Sequence, residues 1–363
     1  MLNKVVISGG GTGGHIFPAI AIAQELERQH PNVQILFVGA KGRMEMEKVP
    51  QFGYNIVGLP ITGIQRKLSW KNLLLPFKIL WSLILAIKLI WKFKPDAVIG
   101  VGGYASGPTL WAANALGRKI FIQEQNSFAG VTNKILSKKA TRIFTAYPGM
   151  ERFFPKEKIM QTGNPIRFIW DNDRNPKSEA LAHFGLQEGK KTILMVGGSL
   201  GARAMNQTME ANLDALLELN VQVIWQTGKN YLPQNKWKDK TGLWVGPFIH
   251  EMHQAYAAAD IIVSRAGAMS VSELCLVSKP TVFVPSPYVS EDHQTHNAMA
   301  LVNDKAALMI REKSLSEMWL STLKDLLEGN VDSAFMIKNM QQWARPNASA
   351  DIVNQLKKDC YGA

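Results

Sequence analysis

A short apolar run, Val5-Val6-Ile7, opens into Ser8-Gly9-Gly10-Gly11-Thr12-Gly13-Gly14-His15 and then into a helical pattern carrying Ala19, Ile20, Ile22, Ala23 and Leu26. Strand, glycine turn and helix form the repeating unit of open parallel α/β sheets, and nothing else in the chain restricts its fold as strongly. Glycines let the backbone take positive φ and let a ligand approach the amides with no Cβ in the way. The helix that follows presents unpaired N–H groups and the positive end of its dipole, which suits a phosphate or pyrophosphate. Five glycines in residues 9–14 are more than a tight turn needs, so the turn reads as a ligand site.

The same plan recurs along the chain. Strands are predicted at Val33–Val38, Ala97–Gly100, Lys119–Ile122, Thr141–Ala146, Thr192–Val196, Val221–Gln226, Leu243–Val245, Asp260–Ser264 and Pro280–Pro285. Glycine loops follow at Val101-Gly102-Gly103-Tyr104, Gly197-Gly198-Ser199-Leu200-Gly201 and Arg265-Ala266-Gly267. The polar residues Gln123-Glu124-Gln125-Asn126 stand at a strand's C-terminal end, where open α/β sheets bind ligands. At 363 residues the chain should bury two cores. Gly163-Asn164-Pro165 and the polar run Asp171–Ser178 read as the crossing between them. The expected fold class is α/β, with two Rossmann-like domains facing each other across a cleft. Residues 1–166 form the first and 167–345 the second, and a tail helix over 346–363 packs back on the first.

A formal net charge of +12 calls for an anionic partner or surface. The sequence has no zinc-finger spacing and no lysine/arginine block with interleaved aromatics of the kind that reads nucleic acid, so nucleic acid is not the expected partner. Two cysteines, Cys275 and Cys360, cannot build a disulfide framework, and the chain enters a strand at once without a secretory leader pattern; a reducing cytosol is the expected home. Gly9, Gly11 and Gly14 also match the dinucleotide fingerprint, but that motif needs an acidic residue near the end of the second strand, where Gly39 and Ala40 stand. A dehydrogenase is therefore disfavoured.

Ile64–Lys94 locates part of the charge. It carries Arg66, Lys67, Lys71, Lys78, Lys88 and Lys92 among leucines and isoleucines, with tryptophans at 70, 81 and 91. Its longest uncharged run, Ile79–Ile87, is far short of a membrane span. A cationic, tryptophan-bearing segment of this kind is expected to lie on an anionic membrane surface. For its second half, an ordinary core helix with a solvated lysine stripe fits the pattern as well.

Taken together, Gly9–His15, Gly102–Gly107, Glu124–Asn126, Thr162–Arg167, Gly197–Ala202 and Arg265–Glu273 resemble the signature loops of the MurG family of bacterial glycosyltransferases, in order and over nearly the whole chain. The resemblance implies a GT-B fold and inverting, single-displacement transfer of N-acetylglucosamine (GlcNAc) from UDP-GlcNAc to lipid I. It implies no cofactor and no metal, and a peripheral position on the cytoplasmic face of the plasma membrane. Carried over, Ser199 and Arg167 meet the diphosphate, and Ile249 offers its backbone to uracil beside Phe248. Ala268, Met269, Ser270, Val271 and Ser272 lie along diphosphate and sugar, Glu273 holds the ribose and Gln294 reads the GlcNAc hydroxyls. Thr12, Gly13, Gly14, Tyr104 and Asn126 belong to the acceptor half, and His15 or Glu124 is the base that takes the proton of the attacking hydroxyl.

Some of these residues have plainer readings. Ser270 and Glu273 fit a capping box, so Glu273 could serve only the helix start. Gln123 stands where the family often has histidine before the glutamate, which weakens a proton-transfer role there. Asp171-Asn172-Asp173 imitates a metal motif but reads as solvated linker. The competing functions are another GT-B enzyme, such as a glycolipid synthase or a UDP-GlcNAc 2-epimerase, and a non-catalytic membrane scaffold.

Overall fold

The structure, a computed structural model, describes residues 2–62, 75–166, 176–234, 237 and 240–362, with the Ser290 side chain excepted. Arg167, the Asp171–Asp173 motif and residues 63–74, which hold the start of the basic segment, lie outside them. The chain forms two compact units, one of Met1–Arg167 with Arg345–Ala363 and one of Phe168–Ala344.

Unit 1 is a seven-stranded sheet of β1 (Lys4–Ser8), β2 (Gln34–Ala40), β3 (Asn55–Leu59), β4 (Ala97–Gly100), β5 (Lys119–Glu124), β6 (Arg142–Thr145) and β7 (Ile159–Gln161). The order is β3-β2-β1-β4-β5-β6-β7, and each described pairing is parallel. Strands leave β1 in one direction and then the other, so the switch point lies between β1 and β4, where such sheets bind ligands. Val5, Ile7 and Ile99 are fully buried, as a parallel sheet covered on both faces requires. The helix α1 (Gly13–Gln29) buries Ile16, Ile20, Ala23 and Leu26 on one stripe. The C-terminal helix Ala348–Tyr361 lays Ile352, Val353 and Leu356 into the same core, and Arg142 clamps it by a 3.1 Å ion pair to Asp359.

Unit 2 repeats the plan with β8 (Lys191–Val196), β9 (Val221–Gln226), β10 (Leu243–Gly246), β11 (Ile261–Ser264), β12 (Thr281–Phe283) and β13 (Leu308–Met309), ordered β10-β9-β8-β11-β12-β13 and parallel. Its switch point lies between β8 and β11. Trp225 and Trp319 fill the core with Met205, Met209 and Leu213. Asn206, wholly buried on the helix Arg203–Glu218, accepts from the Trp225 indole at 2.9 Å and donates to the Thr227 carbonyl at 2.7 Å. β3, β7 and β13 are additions to the strands predicted from sequence. They are edge strands whose side chains stay partly exposed, so the continuous apolar signal of a central strand is weak in them.

Leu75–Phe93 is a helix that buries only Ser82, Ala86 and Ile90. The opposite face exposes Phe77, Leu80, Trp81, Ile84 and Trp91, with Phe77 at 71% and Trp91 at 67%. The core-helix alternative for this segment therefore does not hold: a helix in the core would hide those side chains. Among the described residues no helix is long and apolar enough to cross a membrane.

Candidate functional site

In unit 1 the loops after β1, β4 and β5 stand side by side at the C-terminal edge of the sheet. Their floor is a buried hydroxyl knot. Ser106 Oγ donates to the carbonyls of Ser8 (2.8 Å) and Gly102 (2.9 Å), and Ser8 Oγ lies 3.1 Å from Thr109 Oγ1. Gly10 N–H donates to the Gly102 carbonyl at 3.3 Å, so the first two loops touch backbone to backbone. At Gly103, with φ at +89°, a Cβ would run into the Gly10 backbone, which explains why glycine is needed there.

Thr12 is the N-cap of α1, its carbonyl accepting from His15 and Ile16 N–H at 3.1 Å each, and Gly13 and Gly14 form the first turn. His15 Nδ1 lies 2.9 Å from the Gly10 carbonyl oxygen. A carbonyl only accepts, so in the neutral ring Nδ1 carries the hydrogen and Nε2 carries the basic lone pair. Gly102 lies under the ring; a Cβ there would stand 2.8 Å from Nε2. Tyr104 is half exposed in the neighbouring loop.

Glu124, 2% exposed, ends β5 with both oxygens engaged. Oε1 accepts from Asn126 N–H at 3.1 Å, and Oε2 from Gly130 N–H at 2.9 Å and Asn133 Nδ2 at 2.8 Å. It shapes the loop that carries Asn126. Gln123 is fully buried and donates to Asn164 Oδ1 at 3.0 Å, while Asn164 Nδ2 donates to the Gln125 carbonyl at 3.1 Å. This pair ties the Gly-Asn-Pro turn to the β5 loop.

A carboxylate that the sequence reading misses reaches the first glycine loop. Glu45, 1% exposed, turns its carboxylate back onto the loop, Oε2 accepting from Gly11 N–H at 2.7 Å and Oε1 from Ala40 N–H at 2.9 Å. One amide of this turn, that of Gly11, is thus taken by a side chain of the protein. Gly39 and Ala40 end β2 as read from the sequence, and Glu45, five residues on, turns its carboxylate to backbone amides. The signal is the Glu45 carboxylate itself, but its target is 34 residues away in the chain.

In unit 2, Ser199 is exposed in the turn after β8. Gly201 and Gly228, both at positive φ, pass so closely that a Cβ on either would meet the other's backbone or its neighbour's. Gln226, at the end of β9, donates to the Gly198 carbonyl (3.2 Å) and accepts from Ile249 N–H (3.1 Å). The Ile249 amide is thus already used within unit 2. Sequence reasoning misses Gln226, because an amide inside an apolar strand has no distinctive spacing. Phe248 is half exposed beside Ile249.

Ala268, Met269, Ser270, Val271 and Ser272 form the start of the helix Ala268–Val277, with Gly267 as N-cap. The capping box is corrected: Gly267, not Ser270, is the N-cap, so Ser270 is the third helical residue and Glu273 the sixth, beyond the first turn. Glu273 instead accepts from the Tyr256 hydroxyl at 3.2 Å. Burial first, then the Glu273 charge and hydrogen bond, hold the Tyr256 pKa well above its usual range, so it remains a donor. Arg265 is taken up by an ion pair to Glu312 at 2.5 Å and by the Val284 carbonyl at 3.1 Å. Gln294, second residue of the helix His293–Asn303, accepts from Ser286 N–H at 2.9 Å. Each unit thus gathers its own candidates along the C-terminal ends of its strands. Among the described residues no group of three or more His, Cys, Asp or Glu could hold a metal ion.

Two parallel α/β units, each with a glycine loop and a helix N-terminus at its switch point, have the architecture of the GT-B glycosyltransferases. Residues 5–145 match the model of the glycosyltransferase family 28 N-terminal domain, and residues 192–356 that of its C-terminal domain. Two relatives are named UDP-N-acetylglucosamine–N-acetylmuramyl-(pentapeptide) pyrophosphoryl-undecaprenol N-acetylglucosamine transferase. The one from Flavobacterium psychrophilum is 51% identical over 98% of this chain and 97% of its own, and that from Phocaeicola vulgatus is 54% identical over 99% and 96%. The crystal structure of Acinetobacter baumannii MurG superposes with a TM-score of 0.77 at 30% identity, covering 98% of this chain and 99% of that one. The chain belongs to glycosyltransferase family 28 and, within it, to the MurG family.

Proposed function

We propose that this protein transfers GlcNAc from UDP-GlcNAc to the MurNAc 4-hydroxyl of undecaprenyl-pyrophosphoryl-MurNAc-pentapeptide (lipid I), with inversion, giving lipid II and UDP. The observation that carries the chemistry is the His15 ring, whose Nδ1 is held on the Gly10 carbonyl at 2.9 Å. Nε2 takes the proton of the acceptor hydroxyl, the oxygen attacks the anomeric carbon, and the bond from that carbon to the diphosphate breaks. Glu124, with both oxygens accepting hydrogen bonds, shapes the loop under Asn126, and Thr12, Gly13, Gly14 and Tyr104 form the acceptor surface.

Unit 2 takes the donor. Negative charge grows on UDP as it leaves, and helix N-termini answer such charge. The helix Arg203–Glu218 begins with a cation and has no acid in its first turn, and the helix Ala268–Val277 has none in its own. An isolated helix gains from acids there; leaving them out suits an external anion. Ser199, the start of the helix Ala268–Val277 and Arg167 meet the diphosphate, Ile249 and Phe248 the uracil, Glu273 the ribose and Gln294 the GlcNAc hydroxyls. The exposed face of Leu75–Phe93 rests on the cytoplasmic leaflet, which brings unit 1 to a lipid-borne acceptor.

The test measures UDP released from UDP-GlcNAc with and without a lipid I analogue. Acceptor-dependent release is expected. Acceptor-independent conversion of the sugar would mean epimerisation, and no turnover would mean a scaffold.

A further inference from the structure

We infer that Glu45 is a positioning residue for His15: its carboxylate is the built-in anion of the N-terminal glycine loop and holds the backbone on which the histidine rests. This rests on the assignment of His15 as the base.

Glu45 begins a one-turn helix, Glu45–Lys48, just past β2 and is almost wholly buried. Its two oxygens join Gly11 N–H to Ala40 N–H, so one side chain ties the β1 loop to the end of β2. On its other side the same loop is held by Gly102 and Gly103. Gly10 lies between these supports, and its carbonyl sets the tautomer of His15. A carboxylate is needed for geometric reasons. It presents two acceptors to two donors, whereas a glutamine amide presents one acceptor and one donor, so one N–H would face another hydrogen. Charge matters as well, since hydrogen bonds from amides to a carboxylate are shorter and stronger than neutral ones.

The two glycine loops differ here. A Cβ on Gly10 would collide with the Glu45 carboxyl group, while one on Gly198 in the unit 2 loop would meet no described atom within 4 Å. In the unit 1 loop an acid of the protein fills the space beside Gly10 and takes the Gly11 amide. The unit 2 loop carries no such filling among the described residues. The first loop thus carries an internal support for the backbone under His15 that the second lacks among the described residues.

The experiment compares Glu45→Gln, Glu45→Asp, His15→Ala and the double variant Glu45→Gln/His15→Ala in the full chain. Folding is checked by melting temperature, and imidazole 15N shifts report the His15 tautomer. Glu45→Gln is expected to lower kcat on the order of 10- to 100-fold, the scale of a reacting group misplaced by about 1 Å. KM for UDP-GlcNAc should stay within about twofold, because the donor belongs to the other unit. The ring should show mixed tautomers, and the double variant should be no slower than His15→Ala. Should Glu45→Gln fail to fold, Glu45→Asp, which keeps the charge and shortens the reach, must show the same kcat loss and ring shifts.

Unchanged kcat and ring shifts in folded Glu45 variants overturn the inference while leaving His15 as base. A further loss on adding Glu45→Gln to His15→Ala overturns it too, since the effect would bypass the ring. Should His15→Ala retain full kcat, the base assignment itself falls. The ring shifts then decide alone whether Glu45 positions His15.

Discussion

Replacing His15 by alanine removes the proposed proton acceptor, and kcat is expected to fall by about 10²- to 10⁴-fold, with little change in KM for UDP-GlcNAc; steady-state UDP release checks both. Titration offers a second prediction. Tyr54 donates to Glu27 Oε2 at 2.8 Å, and burial, followed by that bond, raises its pKa. Burial pushes the Cys360 thiol up to about 11. Both folded-state values lie above those of the unfolded chain, about 10 and about 8.5. The folded state keeps protons that the unfolded chain releases, so this stability is complete below about pH 8.5 and is lost as pH rises through the folded values. Melting temperature should drop between about pH 9 and 11, and Cys360→Ala should flatten the lower part of that fall. His15 can be found from sequence because it stands on the glycine turn itself. Glu45 cannot, because a carboxylate shows its purpose only once β1 and β2 are paired and Gly11 is beside it.

At the scale of elements, the exposed face of Leu75–Phe93 makes a separable prediction. Trp81→Ser with Trp91→Ser should weaken flotation with anionic vesicles and leave the melting temperature nearly unchanged, since both side chains are more than half exposed. Binding that survives both substitutions would put the membrane contact elsewhere. Asn206→Ala has the opposite profile. It orphans the Trp225 N–H and the Thr227 carbonyl inside unit 2, at roughly 1–3 kcal/mol for each group, read from the denaturant midpoint. Central strands are legible because a parallel sheet buries them on both faces and leaves continuous apolar runs. The start of the helix Ala268–Val277 is not. Its Ser-x-x-Glu pattern imitates a cap, but the turn from β11 lets Gly267 take that position three residues earlier.

At the scale of the whole molecule, the final helix belongs to the first core. Leu356 is fully buried against unit 1, and Leu356→Ala is expected to cost about 2–5 kcal/mol. Hydrogen exchange should then quicken in β1 and the helix Gly13–Gln29, while unit 2 peptides keep their protection. The reverse distribution would contradict the division into units.

The alternation of apolar strand, glycine turn and amphipathic helix determined by itself that this chain forms parallel α/β units, while the GT-B class followed from the resemblance of its loops. Those signals are local: periodicity and positive-φ demand act over a few residues. Tertiary structure alone decided which edge strands join each sheet, that Leu75–Phe93 leaves its aromatic face bare, and that one glycine loop is filled by Glu45. Each depends on groups tens of residues apart meeting in space, and burial and hydrogen-bond partnership exist only after that meeting.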